Sequence, residues 1–291
     1  MNLAGKATAI AHGAATIVNA IALGKGAAFG VDLWTKAEVK LTDEVGIISG
    51  EIASDTTESS LLIEKTVTRV LQLFGLEKSF GAKIKTQSNI PIARGLKSSS
   101  VAANATALAT IAALKKTLDD IEIVKLSVEA AFDANVTVTG AFDDACASYF
   151  GGIFITDNLR REIIKQLPLP DDLVVLFHVP PQKVYTANSN VGRLRSIKPL
   201  VEIAFDKVLE GRVWEALTLN GLIYSSASNL NPAIAIDALA AGAVAAGLCG
   251  KGPAVTVVVS KDNVASVEAA LLRYEGEVLQ AKMNSEKVKV L

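Results

Sequence analysis

The chain has 291 residues, half of them hydrophobic, with a mean hydropathy of +0.37, so it can bury a sizeable core in two domains or one large one. Its 29 basic and 30 acidic residues leave a net charge of −1 with no long run of either sign, which argues against a nucleic-acid partner held by bulk electrostatics. The only two cysteines, Cys146 and Cys249, build neither a disulfide framework nor a four-thiolate zinc site, and with two histidines, His12 and His178, a histidine-based zinc site is not expected; a reducing, cytoplasmic setting is the simplest inference.

Ala7 to Ala28 is rich in Ala and Gly but carries His12, Asn19 and Lys25 and lacks the compact apolar block of a signal peptide. Residues Phe29 to Leu41 alternate, with Val31, Leu33, Thr35, Ala37, Val39 and Leu41 on one face and Asp32, Lys36, Glu38 and Lys40 on the other, which predicts a half-buried strand. Val45 to Ile52 reads as a second strand. Between Asp55 and Phe74 the period changes: Ile63, Val67, Val70, Leu71 and Phe74 form a helical stripe that Gly75 ends. Ala82 to Gln87 is a short strand. Asp119 or Asp120 caps a helix over Ile121 to Ala134, and Thr137, Thr139, Gly140, Asp143 and Asp144 fall in an expected loop. Phe150-Gly151-Gly152-Ile153-Phe154 turns into a strand, and the charged stretch Asn158 to Gln166 with Pro168 and Pro170 marks a domain boundary, dividing the chain into 1–160 and 161–291.

After the boundary, the apolar run Leu173 to Val179 reads as a central strand. Helices are expected over Ile197 to Leu209, Val213 to Ser226 and Pro232 to Ala246. The long apolar stretch from Pro232 to Gly250 is interrupted by Asp237 and is dominated by Ala and Gly, so it is read as a packed core helix and not a membrane span. A turn at Gly250 to Pro253, a strand from Ala254 to Ser260, a helix capped by Asp262 and ending at Tyr274, and a last strand from Glu277 to Lys282 complete the chain. No repeat or low-complexity tract interrupts it, and the mixture of strands and helices predicts an α+β fold.

Between Ala82–Gln87 and the third expected helix lies Pro91-Ile92-Ala93-Arg94-Gly95-Leu96-Lys97-Ser98-Ser99-Ser100-Val101. Pro91 stops the strand, Gly95 permits a tight turn, and the serines offer cap hydroxyls to a helix of small apolar residues running to Ala113. A helix start presents free N–H groups and a partial positive charge, to which Lys97 adds a full one; phosphate is the anion that such a site suits. Known phosphate motifs do not explain it. The Walker pattern fails around Gly250-Lys251, where Ala245 stands for the first glycine and Gly252 follows the lysine, and the dinucleotide fingerprint fails at Val255. The protein-kinase signatures are absent as well.

Pro91-x-x-x-Gly95-Leu96-x-Ser98-Ser99-Ser100 resembles the phosphate loop of the GHMP kinases, the superfamily of galactokinase, homoserine kinase, mevalonate kinase and phosphomevalonate kinase. Gly5-Lys6 opens a strand-like segment near the start, Asp144 stands seven positions before Gly151-Gly152, and Cys249-Gly250-Lys251-Gly252-Pro253-Ala254 is similar to the glycine-rich third motif. Within the superfamily, Gly95-Leu96-Lys97-Ser98-Ser99-Ser100 and Thr139-Gly140-Ala141-Phe142-Asp143-Asp144-Ala145 look most like the archaeal-type shikimate kinases. Where the superfamily usually has glycine this chain has Lys97, an extra cation beside the phosphates.

The resemblance implies an N-terminal domain like the second domain of the fifth protein of the small ribosomal subunit, a ferredoxin-like C-terminal domain, and ATP between them. It implies phosphorylation of the 3-hydroxyl of shikimate in aromatic amino-acid biosynthesis; another GHMP kinase acting on homoserine or mevalonate, and a non-catalytic nucleotide sensor, are the alternatives. The loop Pro91 to Val101 would hold the phosphates. Ser99 matches the family's magnesium-contacting serine, and the acid completing that Mg²⁺ site would be Asp133 or Glu129, four apart on one helix face. Asp144 is expected as the general base, with Asp143 its rival; as neighbours in an extended loop their side chains would point apart, and Lys6 could sit beside the base. Gly250 and Gly252 are expected at the substrate, and Arg193 or Arg195, after the polar loop Tyr185 to Asn190, would pair the shikimate carboxylate. The implied partner is a small molecule, with no nucleic acid and no membrane, for a monomer or homodimer.

Overall fold

The computed structural model describes residues 5–184 and 190–291. Its first sheet is built on two long strands, β1 (Lys6–Val18) and β2 (Lys25–Thr42), paired antiparallel from Lys6 opposite Lys40 to Val18 opposite Ala27. From Val31 to Leu41, β2 alternates buried and half-buried residues, the period of two that the sequence carries. Nearer its start the burial is continuous, because the second half of the chain packs over it: Phe29 meets Trp214 edge-on with ring centroids 5.5 Å apart. β3 (Ile48–Ile52) runs parallel to β4 (Gly81–Ser88), and α1 (Leu61–Leu73) connects them. β4 pairs with the later part of β2, while β5 (Ile153–Asp157) pairs with its start and continues into β6 (Glu162–Leu167).

Three more helices complete the first half: α2 (Ser98–Ala113), α3 (Asp120–Asp133) and α4 (Phe142–Phe150). α2 is apolar on nearly every side, with Val101, Ala105, Ala107, Ala109 and Ile111 all buried, as befits a helix packed between a sheet and other helices. Small side chains let it lie close to both strands.

The second sheet has the order β10-β7-β9-β8, from β7 (Leu173–Val179), β8 (Ala245–Leu248), β9 (Val255–Ser260) and β10 (Glu277–Lys282), every pair antiparallel. In chain order that is 4-1-3-2, the ferredoxin-like arrangement. α5 (Val191–Ser196), α6 (Lys198–Leu209), α7 (Val213–Ala227) and α8 (Ala233–Ala240) lie between β7 and β8, and α9 (Val264–Leu271) between β9 and β10. The chain then returns to the first sheet, where β11 (Lys289–Val290) pairs with β1 at Ala9 and Ile10.

Several expectations change. Pro232 to Ala246 is not one helix: α8 stops at Ala240, Gly242 takes φ +102°, and the Ala/Gly run that follows is strand β8. Among the described residues no helix is long and apolar enough to cross a membrane. The charged stretch after Asn158 is the turn and second strand of the β5–β6 hairpin, so a division at residue 160 would cut that hairpin. Of the expected helix caps, Asp119 does stand at the N-cap of α3, but Lys97 takes that place at α2 instead of a serine and Asn263 at α9 instead of Asp262, and none of the three makes a side-chain capping bond. Asp143 and Asp144 lie not in an extended loop but in the first turn of α4, so their side chains leave the same end of one helix.

Candidate active site

α2 and α4 both begin at one cavity of about 140 Å³. Each has an N-cap residue in the left-handed region, Lys97 at φ +63° and Ala141 at φ +49°, and neither helix start is closed by a side chain. The unfilled N–H groups of α2 and the partial positive charge there suit phosphate oxygens. The same dipole argument explains why α4 tolerates two acids in its first turn.

The expected phosphate loop divides by role. Ala93, Gly95, Lys97, Ser98, Ser99 and Ser100 line the cavity. Leu96 and Val101 are buried and anchor the loop to the core. Arg94 turns away to donate to the Pro180 carbonyl, and Ile92 lines a second, more apolar cavity of about 290 Å³ next door, with Ile52, Leu62, Ile63 and Ala102. Ser98, Ser99, Val136 and Val184 border both cavities. Pro91 ends the strand side of the loop. Gly95, at φ +87°, packs so tightly that an added Cβ would stand 2.6 Å from the Cys249 carbonyl oxygen and 2.9 Å from that of Gly252. The phosphate loop and the glycine-rich third loop are thus in direct contact, joined also by the Ala254 amide donating to the Arg94 carbonyl at 3.1 Å.

Asp143 and Asp144 both line the first cavity and both are buried. Asn158 donates to Asp143 Oδ1 at 2.8 Å, and Asp143 Oδ2 lies against Gly26, where a Cβ would come within 2.5 Å. Burial, and then the neighbouring Asp144, push the Asp143 pKa up to about 7. Asp144 Oδ2 takes the Lys97 ammonium at 2.9 Å, and its Oδ1 has no hydrogen-bond partner. Burial disfavours the Lys97 charge, but Asp144, Cys249 and Asp143 outweigh it and hold the pKa above the usual lysine value. Lys251, from the third loop, also lines the cavity; burial and then Lys97 push its pKa down to about 7.

Five residues expected at the site, Lys6, Asp133, Glu129, Arg193 and Arg195, stand elsewhere. Lys6 pairs with Glu38 at 2.9 Å on the surface. It follows Gly5, which packs on Ala113 at the far end of α2, so a 16-residue helix separates it from the phosphate loop, about 24 Å at 1.5 Å per residue. Asp133 and Glu129 share a helix face as expected, but that face looks toward Arg69 and Arg161. Arg69 donates to both Asp133 oxygens, at 2.5 and 2.7 Å, and Glu129 pairs with Arg161 and lies 3.8 Å from Arg69. Neither acid lines the cavity, so neither fits a magnesium ion at the phosphates. Among the described residues no group of three His, Cys, Asp or Glu is placed to hold a metal ion. Arg193 donates to the Ser226 carbonyl and to Asn229 Oδ1, at 3.3 and 2.8 Å, and Arg195 is exposed on the same short helix; neither lines the cavity. Of the polar loop before them, Tyr185 to Ser189 lies outside the described residues. Gly252 lines the cavity, while Gly250 sits against the Lys97 side chain.

Other residues enter the site unannounced. Asn19 lines the cavity, its side chain donating to the Gly250 carbonyl at 2.9 Å and its backbone N–H to Asn220 Oδ1 at 3.1 Å, and so ties the third loop to β1. Thr16, Thr137 and Thr139 add hydroxyls to the wall. Lys251 was visible inside the glycine-rich motif. Asn158 and Asn19 carry no local signal, because their partners are 15 and 231 positions away.

Residues 62–152 match the GHMP kinases N terminal domain family. A shikimate kinase of Methanosarcina mazei is 45% identical over 279 residues, covering 95% of this chain and 94% of its own. The shikimate kinase of Pyrococcus furiosus is 46% identical over 244 residues, 83% of this chain and 87% of its own. Among solved structures, a homoserine kinase from Cytophaga hutchinsonii superposes with a TM-score of 0.76 at 18% identity, covering 100% of this chain and 99% of that one. The Methanococcus jannaschii mevalonate kinase gives 0.77 at 18% identity, covering 95% and 98%; at these identities the likeness is one of fold. On sequence and fold together, the chain belongs to the GHMP kinases and, within them, to the family of archaeal shikimate kinases.

Proposed function

We propose that the chain transfers the γ-phosphoryl group of ATP to the 3-hydroxyl of shikimate, with Asp144 as the base. The observation that carries this reading is the placement of Asp144: its Oδ1 is buried and unpartnered, and it shares a small cavity with the start of α2. The triphosphate lies against the N–H groups of Ser98 to Ser100, and the neighbouring apolar cavity of about 290 Å³ takes the nucleoside base. The phosphates would stabilise the charge that burial and Lys97 disfavour on Lys251, so that the lysine pairs with them as a cation. Magnesium would arrive with the nucleotide and neutralise phosphate charge, and Ser99, whose side chain lines the cavity, would contact it.

The acceptor alcohol occupies the part of the cavity lined by Thr16, Asn19, Thr137 and Thr139, whose polar groups suit a ring bearing hydroxyls. Its proton passes to Asp144 as the oxygen–phosphorus bond forms and the bond from phosphorus to the β-phosphate oxygen breaks, leaving ADP. Shikimate is favoured over other alcohols by the named relatives.

An ADP-release assay across shikimate, homoserine and mevalonate tests the substrate. Turnover with shikimate alone is expected; turnover with another alcohol and none with shikimate would keep the kinase and discard the substrate. Asp144→Asn is expected to lower kcat by about a hundredfold or more, the usual loss for a general base, while ADP binding measured by calorimetry stays intact. Wild-type turnover in that variant would remove Asp144 from the chemistry.

A further inference from the structure

The Lys97 side chain does not lie along its own loop. It crosses Gly250, where an added Cβ would stand 2.6 Å from the ammonium nitrogen, and it ends 2.9 Å from Asp144 Oδ2. Both ends of that ion pair are largely sheltered, with side-chain exposures of 14% and 5%. A buried carboxylate with no counter-ion is strongly disfavoured, and the lysine both supplies one and fixes the Asp144 side chain in one orientation. That orientation leaves Oδ1 without a partner. The pair spans three segments: the lysine precedes α2, the acid starts α4, and the glycine between them belongs to the third loop.

We propose that Lys97 is a positioning residue for phosphoryl transfer, aiming Asp144 at the acceptor hydroxyl, and that position 250 is glycine so that the lysine can cross. This rests on the assignment of Asp144 as the base. As the alcohol proton moves to Asp144 Oδ1, the ion pair loses its negative member. The Lys97 charge is then left facing the new phosphate ester, whose negative charge replaces that of the carboxylate. The lysine expected from the N-terminal strand is thus supplied by the phosphate loop itself.

Steady-state kinetics with ATP and shikimate test this, with thermal melts to follow folding. Lys97→Met is expected to lower kcat by about a hundredfold and to change KM for ATP by no more than about threefold. Lys97→Arg, which keeps the charge, is expected to recover at least about tenfold of that loss. Because the lysine acts through the acid, Lys97→Met combined with Asp144→Asn should be no slower than Asp144→Asn alone. Gly250→Ala obstructs the crossing with every charge in place, and it should lower kcat in the same way even if Lys97→Met does not fold. A raised KM for ATP at unchanged kcat, or losses that multiply in the double variant, would overturn the proposal. A wild-type protein that turned over none of the three alcohols would overturn the kinase reading, and this inference with it.

Discussion

Asp143 is buried beside Asp144, and its side chain accepts from Asn158. Its ordinary pKa is 3.8 and the folded one is raised to about 7. Between those values the folded chain keeps a proton that the unfolded chain has released. The stabilisation is therefore full below about pH 4 and is lost as pH rises through about 7. Asp143→Asn is expected to flatten the fall in melting temperature across that window, which calorimetry at stepped pH would read. Residue type was legible here and pairing was not. Both aspartates, Lys97 and the serines could be picked out from the sequence, but Lys97 is expected only beside the phosphates and Lys6 beside the acid, where the structure puts Lys97. Which cation meets a carboxylate depends on where the far end of a long side chain goes, and that is fixed by the gap at Gly250.

Elements with a regular period (β2, β4, α1, α3), or with an apolar run bounded by clear turn signals (α2, β7), stand close to where the sequence puts them. The misread segment, Pro232 to Ala246, is mostly Ala and Ile with little polar contrast, so neither a period of two nor one of 3.6 can show in it. The acids of α3 illustrate the same limit. Spacing put Glu129 and Asp133 on one face, but only packing shows that this face meets Arg69 of α1 and Arg161 after β5. Asp133→Asn should therefore leave the magnesium dependence of turnover unchanged and cost about 1 kcal/mol of stability or less, as part-exposed pairs do; a raised magnesium requirement would contradict this placement. Gly95→Ala has a different cost. At φ +87° and against two carbonyl oxygens, it should strain the loop by about 1–3 kcal/mol and weaken ADP binding, as titration calorimetry would detect.

Across the whole molecule, the segment after β10 joins the two sheets. The Asn284 amide donates to the Gly30 carbonyl at 2.9 Å, the Gly152 amide to the Asn284 carbonyl at 2.9 Å, and the Val288 amide to the Tyr149 carbonyl at 2.8 Å, while the Val288 side chain is buried. At about 1 kcal/mol for each such bond and about 2 for the valine, deleting 284–291 should lower the melting temperature by roughly 10–20 °C, at about 2–4 °C per kcal/mol. Nothing local in the sequence marks this return, since its partners on β1 and β2 lie at the opposite end of the chain. It also sets an order of events during synthesis. β1 is made long before residues 289 and 290, and its edge stays open until they pair with it, so the first sheet is completed only after the strands of the second have been synthesised.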